Sequence, residues 1–123
     1  MPSHVSLAVP MVHVGDVRRT TAFYALLGFA PTGVHHDDDG TLLWTRLCSE
    51  KAEMMFVCAD EPIDNTKQGV LFYLYTRDLV ALREHLLSNN VKAGEIAHPF
   101  YMPQGEMRVE DPDGYCLMIA QAD

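Results

Sequence analysis

The 123-residue chain has no apolar run approaching the roughly 18 residues that a bilayer-crossing helix requires, which excludes a membrane partner of that kind. It is also poor in positive charge: nine Lys and Arg stand against 17 Asp and Glu, for a formal net charge of −8 with the six histidines neutral. Phosphate backbones are bound by basic stripes, and the few cations here are scattered, so nucleic acid is excluded and a neutral or cationic partner is favoured. Cysteine is scarce and unpatterned. Cys48, Cys58 and Cys116 are odd in number, lack CxxC spacing and lie in apolar segments, which reads as reduced thiols used as small core hydrophobes. A chain of this length buries about two-thirds of its unfolded surface, so neither a disulfide framework nor a structural metal is needed for folding. The opening MPSHVSLAVP lacks the basic and apolar regions of a secretory signal, and the expected location is the cytoplasm.

What is present is the composition of one soluble globular domain, residues 1–123, with 48% apolar and 21% charged side chains, which rules out disorder. Seven methionines are the one compositional excess, and such soft side chains fill an irregular core or an adaptable pocket.

The first half reads as strand, helix and three strands. Residues 5–14 are β-rich up to Gly15-Asp16, with Pro10 marking an edge or a bulge. Asp16 is suited to N-cap a helix carrying Val17, Phe23, Tyr24 and Leu27, Gly28 to end it and Phe29 to re-enter the core. Pro31–Val34 and Thr41–Leu47 read as strands joined by the acidic hairpin at residues 35–40, and Ala52–Ala59 as a further strand. Residues 60–69 have linker composition. The second half repeats the order with a strand at Val70–Thr76, a helix after Asp78 ending at Asn89-Asn90, and strands at Glu106–Glu110 and Tyr115–Gln121 around the turn Asp111-Pro112-Asp113-Gly114. An offset of 62 pairs Asp16 with Asp78, Tyr24 with Leu86, Gly28 with Asn90 and Phe29 with Val91. The expected fold is therefore α+β, with two tandem β-α-β-β-β modules at residues 5–59 and 70–121.

The run Val14-Gly15-Asp16, Phe23-Tyr24 and Leu27-Gly28-Phe29, with the later Val109-Glu110-Asp111-Pro112-Asp113-Gly114-Tyr115, resembles the vicinal oxygen chelate superfamily, which includes the glyoxalase and bleomycin-resistance families. The similarity spans essentially the whole chain. It implies that the paired modules curl a mixed sheet into a cup and that the protein is a homodimer. It also implies a choice between a divalent metal gripping vicinal substrate oxygens and a metal-free binding cup.

The ligand positions of metal-using members, transferred by the same resemblance, fall on Val9 and Leu71 in the first strands of the two modules, near Met55 in the first module, and on Met118 in the last strand. A slip of register would bring Phe56 or Glu53 in place of Met55. Hard or borderline divalent ions need several oxygen or imidazole donors, which Val, Leu and Met do not provide, so no metal or other cofactor is expected. His35 and His36 beside Asp37–Asp39 read as a solvated hairpin tip, because consecutive turn residues do not converge on one ion.

Strand alternation supplies the candidate ligand-binding residues. Val9, Met11 and His13 share one parity, as do Leu71, Tyr73 and Tyr75, whereas Ala8, Val12, Val14, Phe72 and Leu74 should pack beneath the helices. Cys116, Met118 and Ala120 share the inward parity of the last strand, Trp44 and Arg46 share a face, and Arg108 with Glu110 precedes the final turn. A cup lined by Trp44, Tyr73, Tyr75, Met55 and Met118 suits a planar ligand, and the acidic balance favours a cationic one. The expectation is a metal-independent small-molecule binding protein of the bleomycin-resistance kind. The alternative is an enzyme, either a metal-dependent lyase, isomerase or dioxygenase, or one using acid–base chemistry at His13, Tyr73 or Tyr75.

Overall fold

Two aspartates and two left-handed residues set the frame. Asp16 Oδ1 accepts from the backbone N–H of Arg18 (3.0 Å) and Arg19 (3.2 Å), and Asp78 Oδ1 accepts from Ala81 N–H (3.0 Å), so each satisfies donors that a helix start leaves unpaired. At the other ends Gly28 (φ +93°) and Asn90 (φ +63°) turn the chain back, and Phe29 N–H and Val91 N–H then donate to the Tyr24 and Leu86 carbonyls at 3.1 and 3.0 Å. Each unit thus has an aspartate at the start of its helix and a left-handed residue after its end.

The computed structural model describes residues 4–123, and the chain divides between Ile63 and Asp64 into two compact units. The first contains β1 (Met11–Val14), α1 (Val17–Ala25), β2 (Ala30–His36), β3 (Leu42–Ser49) and β4 (Ala52–Cys58). The second contains β5 (Phe72–Thr76), α2 (Leu79–Ser88), β6 (Glu106–Glu110) and β7 (Cys116–Gln121), after one 3-10 turn at Asn65–Lys67. The fold is α+β, with a four-stranded sheet in the order β1-β4-β3-β2 and a three-stranded sheet in the order β5-β7-β6. Both are mixed: β1 runs parallel to β4 and β5 to β7, while the remaining pairs are antiparallel.

Each helix covers one face of its own sheet. In the first unit Val12, Thr45 and Phe56 lie side by side in register, and the buried Tyr24 of α1 packs on Phe56 with ring centroids 4.7 Å apart. In the second, Leu117 and Ile119 of β7 with Met107 and Val109 of β6 form the helix-side core under Leu79 and Leu86. Gln121 continues that parity, and its Oε1 accepts from Leu79 N–H at 2.9 Å, which ties α2 to the strand.

Several elements are shorter than alternation suggested. The 5–14 run is a strand only from Met11, because Pro10 has no N–H; its carbonyl still accepts from Met55 N–H at 2.8 Å. Val9 therefore precedes β1, and Ala8, expected under the helix, is exposed. Val70 and Leu71 likewise precede β5 and are exposed. His35 and His36 belong to β2, and the acidic turn begins at Asp37, whose Oδ1 accepts from Asp39 and Thr41 N–H at 2.9 Å. Asp111 makes the same two bonds to Asp113 and Tyr115 in the second D-x-D-G turn, where Gly114 has φ +84°. In the second unit the strand after α2 is reduced to the bridges Ala93↔Val109 and Ala97↔Glu106, since Gly94, Pro99, Pro103 and Gly105 interrupt continuous pairing. The cysteines are free but half-buried rather than core residues: Cys48 and Cys116 stand on the faces away from the helices, and Cys58 is at the end of β4.

One buried group in α1 is not matched to its surroundings. Thr20 is fully buried on the sheet side, and its Oγ1 has no hydrogen-bond partner among the described residues. Replacing the hydroxyl by a methyl of similar shape removes an uncompensated desolvation cost, so Thr20→Val should raise stability by about 1 kcal/mol, read as a higher urea midpoint at unchanged slope.

Candidate functional site

The face of each sheet turned away from its own helix carries the chemistry. In the first unit, register places Met11, Met55 and Arg46 in one row and His13, Val57, Trp44 and His35 in the next. Gly33 sits beside Trp44, and a Cβ there would lie 3.2 Å from the indole, so the glycine leaves room for the ring against β2. Arg46 forms an ion pair with Glu53, and the hydrogen bond from the guanidinium to that carboxylate holds the arginine pKa above its ordinary value. Trp44, Arg46 and Met55 are half-buried, whereas Met11 and His13 are exposed. Strand parity thus brings five of the predicted residues onto one face, with Val9 lying just before its strand.

The second unit repeats the pattern with different chemistry. Tyr73, Met118 and Arg108 share one row, and Tyr75, Ala120 and Glu106 the next. The phenol rings of Tyr73 and Tyr75 stack with centroids 6.2 Å apart at 28°, although they are 40% and 64% exposed. Arg108 is exposed and lies 3.6 Å from Glu110. Leu71, like Val9, precedes the strand. Met118 is half-buried, and Ala120, from the same parity, is fully buried under the longer side chains.

Two functional candidates had no clear sequence signal. Glu106 is only 5% exposed, yet it stands on this open face. Its Oε1 accepts the Tyr73 hydroxyl at 2.9 Å and its Oε2 accepts the Tyr101 hydroxyl at 3.1 Å. Parity with Arg108 could have placed Glu106 here; Tyr101 comes from the irregular loop between Ala97 and Glu106, where no periodicity operates. Being held by Glu106 pushes the Tyr73 pKa up to about 12, with desolvation and the carboxylate charge acting in the same direction. That takes Tyr73 away from acid–base work near neutrality, which needs a pKa close to the operating pH. The protonated phenol is the form favoured by the fold, so its contribution is complete below pH 10 and is lost as pH rises through about 12. An alkaline titration of phenolate absorbance should show this late tyrosine, and Glu106→Gln should lower its pKa toward the ordinary range, leaving the part due to desolvation. The Tyr115 pKa is also raised, mainly by burial, and that shift should persist in the variant.

Residues 3–119 match the family model described as the Glyoxalase/Bleomycin resistance protein/Dioxygenase superfamily. The chain belongs to this superfamily. No curated protein matches it. Among solved structures, a bleomycin-binding protein complexed with bleomycin is similar at 20% identity and TM-score 0.75, over 97% of this chain and 100% of the other. A bleomycin resistance determinant encoded on the transposon Tn5 matches at 20% identity and TM-score 0.76, over 97% and 99%. TnmS3, an antibiotic binding protein from Streptomyces sp. CB03234, matches at 20% identity and TM-score 0.68, over 98% and 100%. At this identity the likeness establishes the fold.

The donors in this superfamily member do not fit a hard or borderline divalent ion. Val9, Leu71, Met55 and Met118 occupy the expected ligand positions, Glu53 is paired with Arg46, and among the described residues no three His, Cys, Asp or Glu side chains come together. Among the described residues, no helix is long and apolar enough to cross a membrane.

Proposed function

We propose that this chain binds and sequesters a small planar or cationic molecule without a metal, acting as a homodimer in the cytoplasm, with Met11, His13, Trp44, Arg46 and Met55 in one unit and Tyr73, Tyr75, Arg108 and Met118 in the other as ligand-facing residues. The observation that carries this reading is the exposed Tyr73–Tyr75 stack on a sheet face that its own helix leaves open. Large rings held in mutual register offer a flat apolar platform at little entropic cost, which is what a planar ligand requires. Solved structures of the same fold whose names record bleomycin or antibiotic binding support the reading.

Calorimetric titration with metal-free bleomycin, copper(II)-bleomycin and other planar cationic antibiotics tests it directly. At least one should bind at micromolar or better affinity, with non-planar neutral solutes inactive; a uniformly silent panel would reject sequestration. Elemental analysis of protein purified without added metal should find no stoichiometric Zn, Ni, Fe or Mn, and light scattering should give twice the chain mass.

A further inference from the structure

Glu106 is a buried carboxylate with no cation paired to it among the described residues. Both oxygens are engaged by uncharged phenols, and Arg108, the arginine next along the same face, pairs with Glu110 instead. Among the described residues no Lys or Arg lies within ion-pair distance of Glu106. Withdrawing a carboxylate from water without a counter-charge is costly, and hydrogen bonds from neutral donors are about half as strong as those from charged ones. A cationic N–H donor reaching Glu106 would therefore outcompete a phenol.

The two phenols differ in how easily they can yield. Tyr73 is built into β5 and stacked on Tyr75. Tyr101 is 55% exposed and belongs to a loop closed at its base by paired backbone bonds between Ala97 and Glu106, beside the 97% exposed Phe100. Swinging Tyr101 outward uncovers Oε2 without breaking a strand. A cation arriving there would also lie beside the faces of two tyrosine rings, which attract positive charge.

We propose that Glu106, Tyr73, Tyr75 and Tyr101 form a subsite for an organic ammonium or amidinium group, entered by displacement of the Tyr101 hydroxyl from Glu106. It rests on the reading that this open face binds small molecules, and assigns to it the charged end of the ligand.

Benzamidinium and its neutral counterpart benzamide are suitable probes, titrated by NMR into the full chain. Benzamidinium should bind about tenfold more tightly than benzamide, and Glu106→Gln should abolish that ratio. Tyr101→Phe removes the competing donor at nearly constant volume, so it should strengthen benzamidinium binding several-fold and leave benzamide unchanged. A purely structural network would not produce such a gain. Equal affinity for the two probes in the native protein, a ratio that survives Glu106→Gln, or no gain in Tyr101→Phe would each overturn the subsite. If an antibiotic from the panel binds while Glu106→Gln changes nothing, the subsite fails and sequestration stands; if benzamidinium binds as expected while the whole panel is silent, the reverse holds.

Discussion

Tyr24→Ala should cost about 4 kcal/mol of folding stability, within the 3–5 kcal/mol range of deleting a buried aromatic ring, and lower the melting temperature by roughly 10–20 °C. Tyr24 is fully buried, and three rings converge on it: Phe23 at 5.2 Å and Phe29 at 5.7 Å, both edge-on, and Phe56 at 4.7 Å. They belong to α1, to the chain just after it and to the central strand β4, so no single movement can close the void. The Tyr24 carbonyl also accepts the Phe29 N–H that completes the helix end, and that bond survives the substitution. The loss should therefore be a packing loss, with far-ultraviolet circular dichroism unchanged below the transition. Set against a total stability of about 5–15 kcal/mol for a domain, such a loss leaves the variant folded but marginal at physiological temperature. A measured loss below about 1.5 kcal/mol would mean that the aromatic cluster collapses around the gap.

The features that were legible in the sequence are those fixed by local chemistry. Asp16 and Asp78 cap helices because an aspartate can accept backbone N–H groups at that point whatever surrounds it. Gly28 and Asn90 were readable for a related reason, since few residues tolerate positive φ. Strand parity was legible too: Trp44 and Arg46, and Tyr73 and Tyr75, emerge on the open faces because side chains alternate. What was not legible depends on the partner strand. Whether Val9 and Leu71 join a strand is decided by where β4 and β7 offer hydrogen bonds, and neither residue is included. The irregular stretch after α2 has no period, so nothing in it marked Tyr101 as reaching Glu106. The half-buried Cys48 and Cys116 belong here as well, because an apolar segment does not say which of its faces is covered.

Tyr75→Ala should behave in the opposite way to Tyr24→Ala, leaving stability within about 0.5 kcal/mol of the parent while weakening a bound planar ligand about 30-fold. At 64% exposed, Tyr75 buries little against its own unit, and its ring interaction with Tyr73 is a surface one. Removing it forfeits little packing in the free protein. In a complex the same ring would be covered on its outer face, adding stacking of about 0.5–1.5 kcal/mol to the apolar area withdrawn from water, which together amounts to roughly 2 kcal/mol. Tyr75→Phe discriminates further, since it keeps the platform and should retain affinity within about threefold if the ring face is what binds. The comparison is best made by titrating parent, Tyr75→Ala and Tyr75→Phe with the tightest ligand of the antibiotic panel, alongside urea melts of each. Equal affinities in all three would remove the tyrosine stack from the site even if the ligand binds elsewhere on the chain. A loss of affinity matched by a comparable loss of stability would instead make Tyr75 a structural residue, contrary to its exposure.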